Sequence, residues 1–454
     1  MQSSRTLALI ALVAALLVPA AARADQTWLV VSDIHLNPYD AYRRPSPPGS
    51  DSNLALLESS LAAMKRAVPE PAMVVLPGDF LAHYFPRLVN LNAAGSSQSG
   101  EALKAVQIVA TRFGRTFPHA RFAVVLGNND SACGDYRSDV DGPFMQGFAR
   151  AWAPLVNRGG AATQFAQTFP SGGYYTEALP IRGLRLIGLN STVFSKEFFG
   201  DCRGGHADQA TGELAWLNAT LASTPPGIHN VVLLHVPPGY DTFVTETARG
   251  AVAWPYYFGA ANAGLLDAIS QNATHVAFVL AGHTHHFDFR IVPSKPPVPM
   301  IVFGAVSPVY RNNPNFATIQ VTPEGNVRDL TLYAFDETTL TWLPGRNFNE
   351  AWKPDPPELG AASLEGIHAR LHGSPQMRTA WEGQTAAWAA RNPRLLWAAG
   401  WPVAWCAQTN LDAAFAACAK TGDPMAWVRL GLAVTPAVLL AIVLVIVIRR
   451  RIRL

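Results

Sequence analysis

The chain has 454 residues, 49% of them hydrophobic and 15% charged, with a formal net charge of +3. That apolar fraction excludes a disordered chain, and the length is ample for a large buried core. Seven arginines, Arg5, Arg23, Arg429, Arg449, Arg450, Arg451 and Arg453, lie at the two ends; subtracting them leaves residues 25–427 at −4, so composition indicates no basic nucleic-acid surface.

In chain order, Arg5, a Leu/Ala/Val run at 7–18 and small residues at 19–24 predict a secretory leader over 1–24. Strand-like, β-branched-rich runs follow at 28–33, 73–79 and 121–128, with helix-like stretches at 54–67 and 101–112 between them. Further strand-like runs at 230–235 and 276–283, and a hairpin from 316–321 through a turn at 323–326 to 327–335, complete an α/β body over 25–345. The Pro-rich linker 353–357 belongs to an Ala/Trp-rich helical subdomain, 346–427, with helical periodicity around Met377, Trp381 and Trp388. Trp397, Trp401 and Trp405 recur every fourth residue, with Pro402 as a break or a helix start. They form either a face packed on the body or a contact with the bilayer or a lipid substrate. Residues 430–448 are apolar and uncharged, close to the ~20 residues a crossing helix needs. We place a transmembrane helix at 428–448 and an Arg-rich cytoplasmic tail at 449–454, which puts 25–427 outside.

Cys133, Cys202, Cys406 and Cys418 fall in that exterior part, where disulfides persist. Three pairings are possible; proximity favours Cys406 with Cys418, which leaves Cys133 with Cys202.

The chemistry gathers at the ends of the strand-like runs: Asp33-x-His35, Gly78-Asp79, Gly127-Asn128, His235 and Gly282-His283-x-His285. Ligands collect at the carboxyl ends of strands in α/β sheets. Taken singly, each motif reads as a turn or a core histidine, but five in this order, each after a strand, describe a metal site. The N/O donor set suits Zn, Mn or Fe.

In this order the motifs resemble those of the calcineurin-like metallophosphoesterase superfamily, which carries D-x-H, G-D, G-N-H-D/E, H and G-H-x-H on a four-layer α/β/β/α sandwich. Ser32-Asp-Ile-His-Leu36, Leu189-Asn-Ser-Thr192 and Val306-Ser-Pro-Val-Tyr-Arg-Asn-Asn-Pro-Asn-Phe316 are similar to the acid sphingomyelinase-like phosphodiesterase branch. The resemblance covers 27–335. It implies two divalent cations, one held by Asp33, His35 and His285, the other by Asn128, His235 and His283, with Asp79 shared. Water activated by the cations would attack phosphodiester or phosphoanhydride bonds in line, with no protein nucleophile. Small phosphoesters, lipid head groups, nucleotides and polyphosphate are the substrates it implies.

One departure is Asn129, where the superfamily has a histidine credited with contacting the scissile phosphate and helping the leaving group. An amide cannot act as an acid. Endopolyphosphatase-like members of the branch share G-N-N-D, so the change does not mark a dead site. His83, which matches a G-D-x-x-x-H pattern of the branch, is our substitute; the alternative is a surface loop histidine. His286 is expected to steady its loop, His119, His229 and His275 to face solvent, and His206 to pack in its loop, with substrate contact as the alternative. The alternative to an enzyme is a metal-containing binding or sensing ectodomain that has lost turnover through Asn129. Loops 37–52, 84–100 and 237–262 are expected to set selectivity, with the Pro-rich stretches 44–48 and 294–299 around the mouth.

Overall fold

The computed structural model describes residues 24–158, 164–204, 208–247, 253, 255–389 and 401–421. The leader through residue 23, His206, Trp397, the apolar stretch 430–448 and the arginine tail lie outside the described residues. Among the described residues no helix is long and apolar enough to cross a membrane.

The fold is mixed α/β with two sheets. The strands are β1 (Gln26–Val30), β2 (Met73–Leu76), β3 (Arg121–Val124), β4 (Tyr175–Ala178), β5 (Leu184–Gly188), β6 (His229–Leu233), β7 (Val276–Ala281), β8 (Asp288–Val292), β9 (Val298–Val302), β10 (Asn315–Val321), β11 (Val327–Asp336), β12 (Thr341–Trp342) and β13 (Arg346–Asn347). The first sheet runs β12-β11-β10-β1-β2-β3, with β13 on β11; the second runs β4-β5-β6-β7-β9-β8. Parallel pairs β1/β2 and β2/β3 require crossovers. The helices Leu54–Ala67 and Gln98–Thr116 supply them, started by the side-chain caps of Asn53 and Ser97. The second of these outruns the 101–112 stretch at both ends.

Strand periodicity decides how the layers stack. In β6 and β7, Val231, Leu233, Phe278 and Leu280 join the core shared with the first sheet, where Trp28 meets Phe278 at 6.2 Å. Their alternates Val232, Val279 and Ala281 face the helices Gln209–Ala222 and Gly259–Gln271. Strands buried on both faces read as unbroken apolar runs. They also stop early: β1, β2, β3, β6 and β7 end two to five residues before the expected ligands, which therefore stand on loops.

Three loop expectations change. Residues 84–100 contain the helix Phe85–Asn92, and 237–262 contain the helix Thr242–Thr247 and the start of Gly259–Gln271. The Pro-rich 294–299 stretch is not at the mouth. β8 and β9 form an antiparallel hairpin whose five-residue arms carry that turn away from His285.

The C-terminal helices share the main core. Trp381 is 2% exposed and packs against Phe287, Phe289, Phe348 and Trp352 at ring separations of 5.0 to 6.4 Å. Trp401 is buried on the same core. Trp405 stacks on His368 at 4.2 Å, and each hydrogen-bonds the other's backbone carbonyl at 3.0 Å. The packed reading therefore holds for these two tryptophans, and Pro402 occupies the first turn of the helix Trp401–Thr409. Both expected disulfides are formed, Cys133–Cys202 and Cys406–Cys418. Replacing Trp381 by Ala should cost about 3–5 kcal/mol, read as a lower denaturant midpoint for the whole body; an unchanged midpoint would mean that the C-terminal helices are an independent appendage.

Candidate metal centre

Every proposed ligand but two sits in a conformation that side chains avoid. Asp33, His35, Asp79, His283 and His285 have φ of 51°, 45°, 58°, 73° and 57°. Each such residue costs roughly 1–3 kcal/mol and persists only where its surroundings over-determine it. The surroundings here are the neighbouring ligand loops, backbone and side chain alike. A Cβ on Gly127 would stand 2.0 Å from Asp79 Oδ1, and one on Gly282 would stand 2.2 Å from Ser32 Oγ and 2.9 Å from Asp33 Oδ2. The glycines before the ligands thus let three loops pass at contact distance.

These loops bring the seven predicted ligands together. Asp79 Oδ2 lies 3.3 Å from His35 Nε2 and 3.2 Å from His235 Nε2. Asp33 Oδ1 is 3.4 Å from His285 Nε2 and 3.8 Å from His35 Nε2. His35 Nε2 and His285 Nε2 are 3.0 Å apart, as are His235 Nε2 and Asn128 Oδ1. Asp79, His235 and His283 form one group able to hold an ion; Asp33, His35 and Asp79 form another, and His35, His83 and His285 a third. His35 Nδ1 faces the Leu81 carbonyl at 3.1 Å and His235 Nδ1 the Pro77 carbonyl at 2.8 Å. Each donates its Nδ1 proton there, so that loss of the Nε2 proton leaves a lone pair aimed inward. Asp33 Oδ1, fully buried, accepts no hydrogen bond. Imidazole lone pairs and an orphaned carboxylate oxygen turned on one another fit divalent cations and little else.

The electrostatics agree. Burial alone would raise the Asp33 carboxyl, but His285, His35 and His235 outweigh it and hold it at about 2; Asp79 is driven below the carboxylate range by His235 and His35. Burial alone would depress His35 and His235, but the charges of Asp79 and Asp33 hold both at about 9. His283, squeezed by burial and the nearby His235, falls to about 3.

Several residues build the site without belonging to the expected ligand set. Asp130 accepts from the backbone N–H groups of Asp79, Phe80, Leu81 and Gly127 at 2.8 to 3.1 Å, clamping the two metal-binding loops together. Ser191 Oγ accepts from His235 N and Val236 N at 3.1 and 2.8 Å, which gives the Leu189–Thr192 motif its use. Asn129 Oδ1 accepts from Asn128 Nδ2 at 2.9 Å, fixing the Asn128 amide with its oxygen toward His235, and its own N–H donates to Asp79 Oδ1 at 2.8 Å. Asn129 Nδ2 is buried and makes no hydrogen bond of normal geometry.

His83 lies at the mouth, stacked on His35 at 4.1 Å. Its Nδ1 faces Asp51 Oδ1 at 2.8 Å and its backbone N–H donates to Asp51 Oδ2 at 3.0 Å. Asp51 went unnoticed in the sequence because it stands in an irregular loop with no motif around it. Tyr310, from the 306–316 segment, meets the rings of His285 and His83 edge-on at 4.7 and 5.8 Å. His286 is buried, with Nδ1 on the Thr284 carbonyl at 2.8 Å, and steadies its loop; His119 and His229 are exposed and His275 half-buried.

The family model for calcineurin-like phosphoesterases matches residues 27–287, more than half of the chain. The chain belongs to the calcineurin-like phosphoesterase family. This phosphoesterase is also similar to sphingomyelinase phosphodiesterase D of Dictyostelium discoideum, at 24% identity over 67% of this chain and 65% of that protein, so it spans just under two thirds of that relative. Acid sphingomyelinase-like phosphodiesterase 3b of Mus musculus is 24% identical over 79% of this chain and 82% of its own. The calcineurin-like phosphoesterase YfkN from Bacillus subtilis superposes with a TM-score of 0.33 at 12% identity, over 79% of this chain and 97% of that one. As suits that family, the chain has His and Asp groups able to hold a metal.

Metal-free, this phosphoesterase keeps protons on His35 and His235. Because their folded values near 9 lie above the ordinary 6.5, the stability they lend is complete below pH 6.5 and lost as pH rises through 9. Chelated protein should therefore melt at progressively lower temperature from pH 6.5 to 9. Zn²⁺ affinity by calorimetry should rise over the same window, with proton release. A metal-free melting temperature that is flat across the window would refute this.

Proposed function

We propose that this phosphoesterase hydrolyses phosphodiester or phosphoanhydride bonds with two divalent cations that share Asp79, on the outer face of a membrane. The observation that carries the reading is the position of Asp79 Oδ2, within 3.3 Å of the inward nitrogens of both His35 and His235. On one side Asp33, His35 and His285 would complete the first ion's shell, and on the other Asn128, His235 and His283 the second. Zn, Mn and Fe all suit these donors. Bound there, two such ions supply a water nucleophile at neutral pH and neutralise charge on the phosphoryl oxygens.

The chain's own residues do the rest. Asn129 Nδ2, buried and making no hydrogen bond of normal geometry, is a donor for a phosphoryl oxygen. His83 is held by Asp51 with Nδ1 occupied, which presents Nε2 at the mouth beside Tyr310. In that pose it delivers a proton to the leaving oxygen, the task Asn129 cannot perform. The arrangement supports turnover over the alternative of a binding ectodomain.

The membrane setting rests on the leader pattern, the 430–448 stretch and the arginines after it, together with two disulfides that suit an oxidising compartment. The four-layer sandwich over 25–345 and the helical subdomain over 346–427 belong to the same reading. Both relatives are phosphodiesterases by name, which favours a diester over a monoester.

Asp79→Asn should lose bound metal by mass spectrometry and at least about 10³ in kcat toward an aryl phosphodiester, since it removes the bridge between the ions. Wild-type protein that shows no metal-dependent hydrolysis would leave only a metal-binding ectodomain. The acid role has a sharper signature. His83→Ala should cost roughly 10²–10³ in kcat with an alkoxide leaving group and far less with p-nitrophenolate, which needs no proton. Equal losses with both would remove His83 from that role.

A further inference from the structure

Tyr136 shares the left-handed backbone of the metal ligands, with φ of 55°. For a large aromatic residue that conformation is a true outlier, and the surroundings must hold it. Its N–H donates to the Asn128 carbonyl at 2.6 Å, and its own carbonyl accepts from the Phe199 N–H at 2.9 Å. The disulfide between Cys133, just before it in the chain, and Cys202, just after Phe199, ties the same two segments together. Held in this way, the Tyr136 ring meets that of His283 edge-on, at 6.4 Å and an interplanar angle of 86°. Tyr136 thus leans on two proposed ligands of the second ion, on Asn128 through its backbone and on His283 through its ring.

The hydroxyl is what this arrangement leaves over. Other buried phenols are spent on the protein itself: Tyr175 donates to the Val124 carbonyl at 2.9 Å and Tyr257 to that of Val236. The Tyr136 hydroxyl has no hydrogen-bond partner among the described residues. The ionisable groups that act on it are Asp79, Tyr256, Tyr310 and Asp241, drawn from separate segments around the centre. Two of these face the ligands directly, Tyr256 edge-on to His283 at 5.2 Å and Tyr310 edge-on to His285 at 4.7 Å. The carboxylates nearby have other donors. Asp79 Oδ1 accepts from the Asn129 N–H at 2.8 Å, Asp241 Oδ1 from the Val244 N–H at 2.9 Å, and Asp135, next in the chain, from the Tyr84 N–H at 3.3 Å. A phenol is protonated at neutral pH in any case, and burial followed by the charge of Asp79 pushes this one further up.

We propose that Tyr136 is a catalytic residue whose hydroxyl donates a hydrogen bond to a non-bridging phosphoryl oxygen on the side of the second ion. There it bears part of the negative charge that builds as the attacking oxygen adds to phosphorus. With Asn129 Nδ2 it forms a pair of neutral donors carried on one stretch of chain. Neutral donors suit the place, since an ammonium or guanidinium beside two bound cations would be repelled by them. The position of the phosphate rests on the metal-centre reading.

Tyr136→Phe keeps the ring and removes only the hydroxyl. In full-length protein loaded with Mn²⁺ it should lower kcat toward an aryl phosphodiester about tenfold or more, the effect of one lost donor to a charged oxygen. The loss should be the same for p-nitrophenolate and alkoxide leaving groups, because the oxygen it serves stays on phosphorus; His83→Ala separates the two. Calorimetry with inorganic phosphate gives a readout apart from turnover. Mn²⁺-loaded Tyr136→Phe should bind it about tenfold more weakly than wild type, with metal content by mass spectrometry and melting temperature unchanged. Unaltered kcat and phosphate affinity would overturn the inference. So would a loss of Mn²⁺ or of melting temperature that accounts for the drop, since the tyrosine would then only brace Asn128 and His283. Metal-dependent phosphate binding that Tyr136→Phe weakens, without hydrolysis of any phosphodiester by wild type, keeps the donor and removes the catalytic reading of the centre.

Discussion

Two carboxylates that must stay charged in the absence of water are the constraint around which this protein is arranged. Asp33 and Asp79 are buried to within 1% of completely, and each repels the other. Ionised carboxylates are tolerated in such a place only if positive charge or N–H donors surround them. The protein supplies both. His35, His235 and His285 crowd the Asp33 and Asp79 oxygens, while N–H groups of His283 and Asn129 hold the remaining ones. Backbone donors aim this way only because the loops take left-handed turns at the ligands, and those turns survive because Asp130 ties four amides of two loops together. Strain, buried charge and tight glycines are thus one arrangement seen from three sides. The two sheets make it possible by ending five strands at one edge.

That edge was readable in the sequence because both of its components have a local signature. Short apolar runs with both faces buried mark the strands, and a Gly before an Asp, Asn or His marks a loop that must pass close to its neighbour. The hairpin of β10 and β11 was readable for the same local reason. Its antiparallel pairing with β1 was not, since Trp28 opposite Ile319 is a contact across most of the chain. The Asp51–His83 pair was hidden in the same way: 32 residues separate two groups that are hydrogen-bonded only because the loop 37–52 folds back, with Asn37 N–H on the Ser52 carbonyl. Pro-rich composition misled at 294–299, where turn residues are present but the strand direction, which composition does not encode, sends them to the wrong end.

The segment 306–316 shows how a motif can be diagnostic without being chemical. Its asparagines touch no proposed ligand. Asn312 Nδ2 donates to the Ser307 carbonyl at 3.0 Å, Asn315 Nδ2 to the Ala305 and Asn313 carbonyls, and Asn313 Nδ2 to the Ala387 carbonyl at 2.9 Å. At its front, Val306 and Ser307 donate to the carbonyls of Ser32 and Asp33. The segment is a strap between the first metal loop and the C-terminal helices, and Tyr310 is the one side chain it presents to the site. The strap holds because its amides satisfy buried carbonyls, Asn312 and Asn315 sharing those of Ala305 and Asn313.

The same logic explains why the C-terminal helices belong to the catalytic body. Buried Arg290 donates to the carbonyls of Pro238 and Tyr240, in the loop directly after His235, and Asn262 reaches the Leu411 carbonyl at 2.8 Å. Tyr240 stacks at 4.2 Å on Phe415 of the helix Ala414–Thr421, which Cys406–Cys418 joins to the helix Trp401–Thr409. Loops around an active site are ordinarily the least stable part of a fold. Here one disulfide fastens the loop beyond Asn128 and the other fastens the helices that brace the loop beyond His235. The mouth is consequently shaped by contacts whose partners lie far away in sequence, and what it accepts is set less by the metal ligands than by what those distant tethers hold in place.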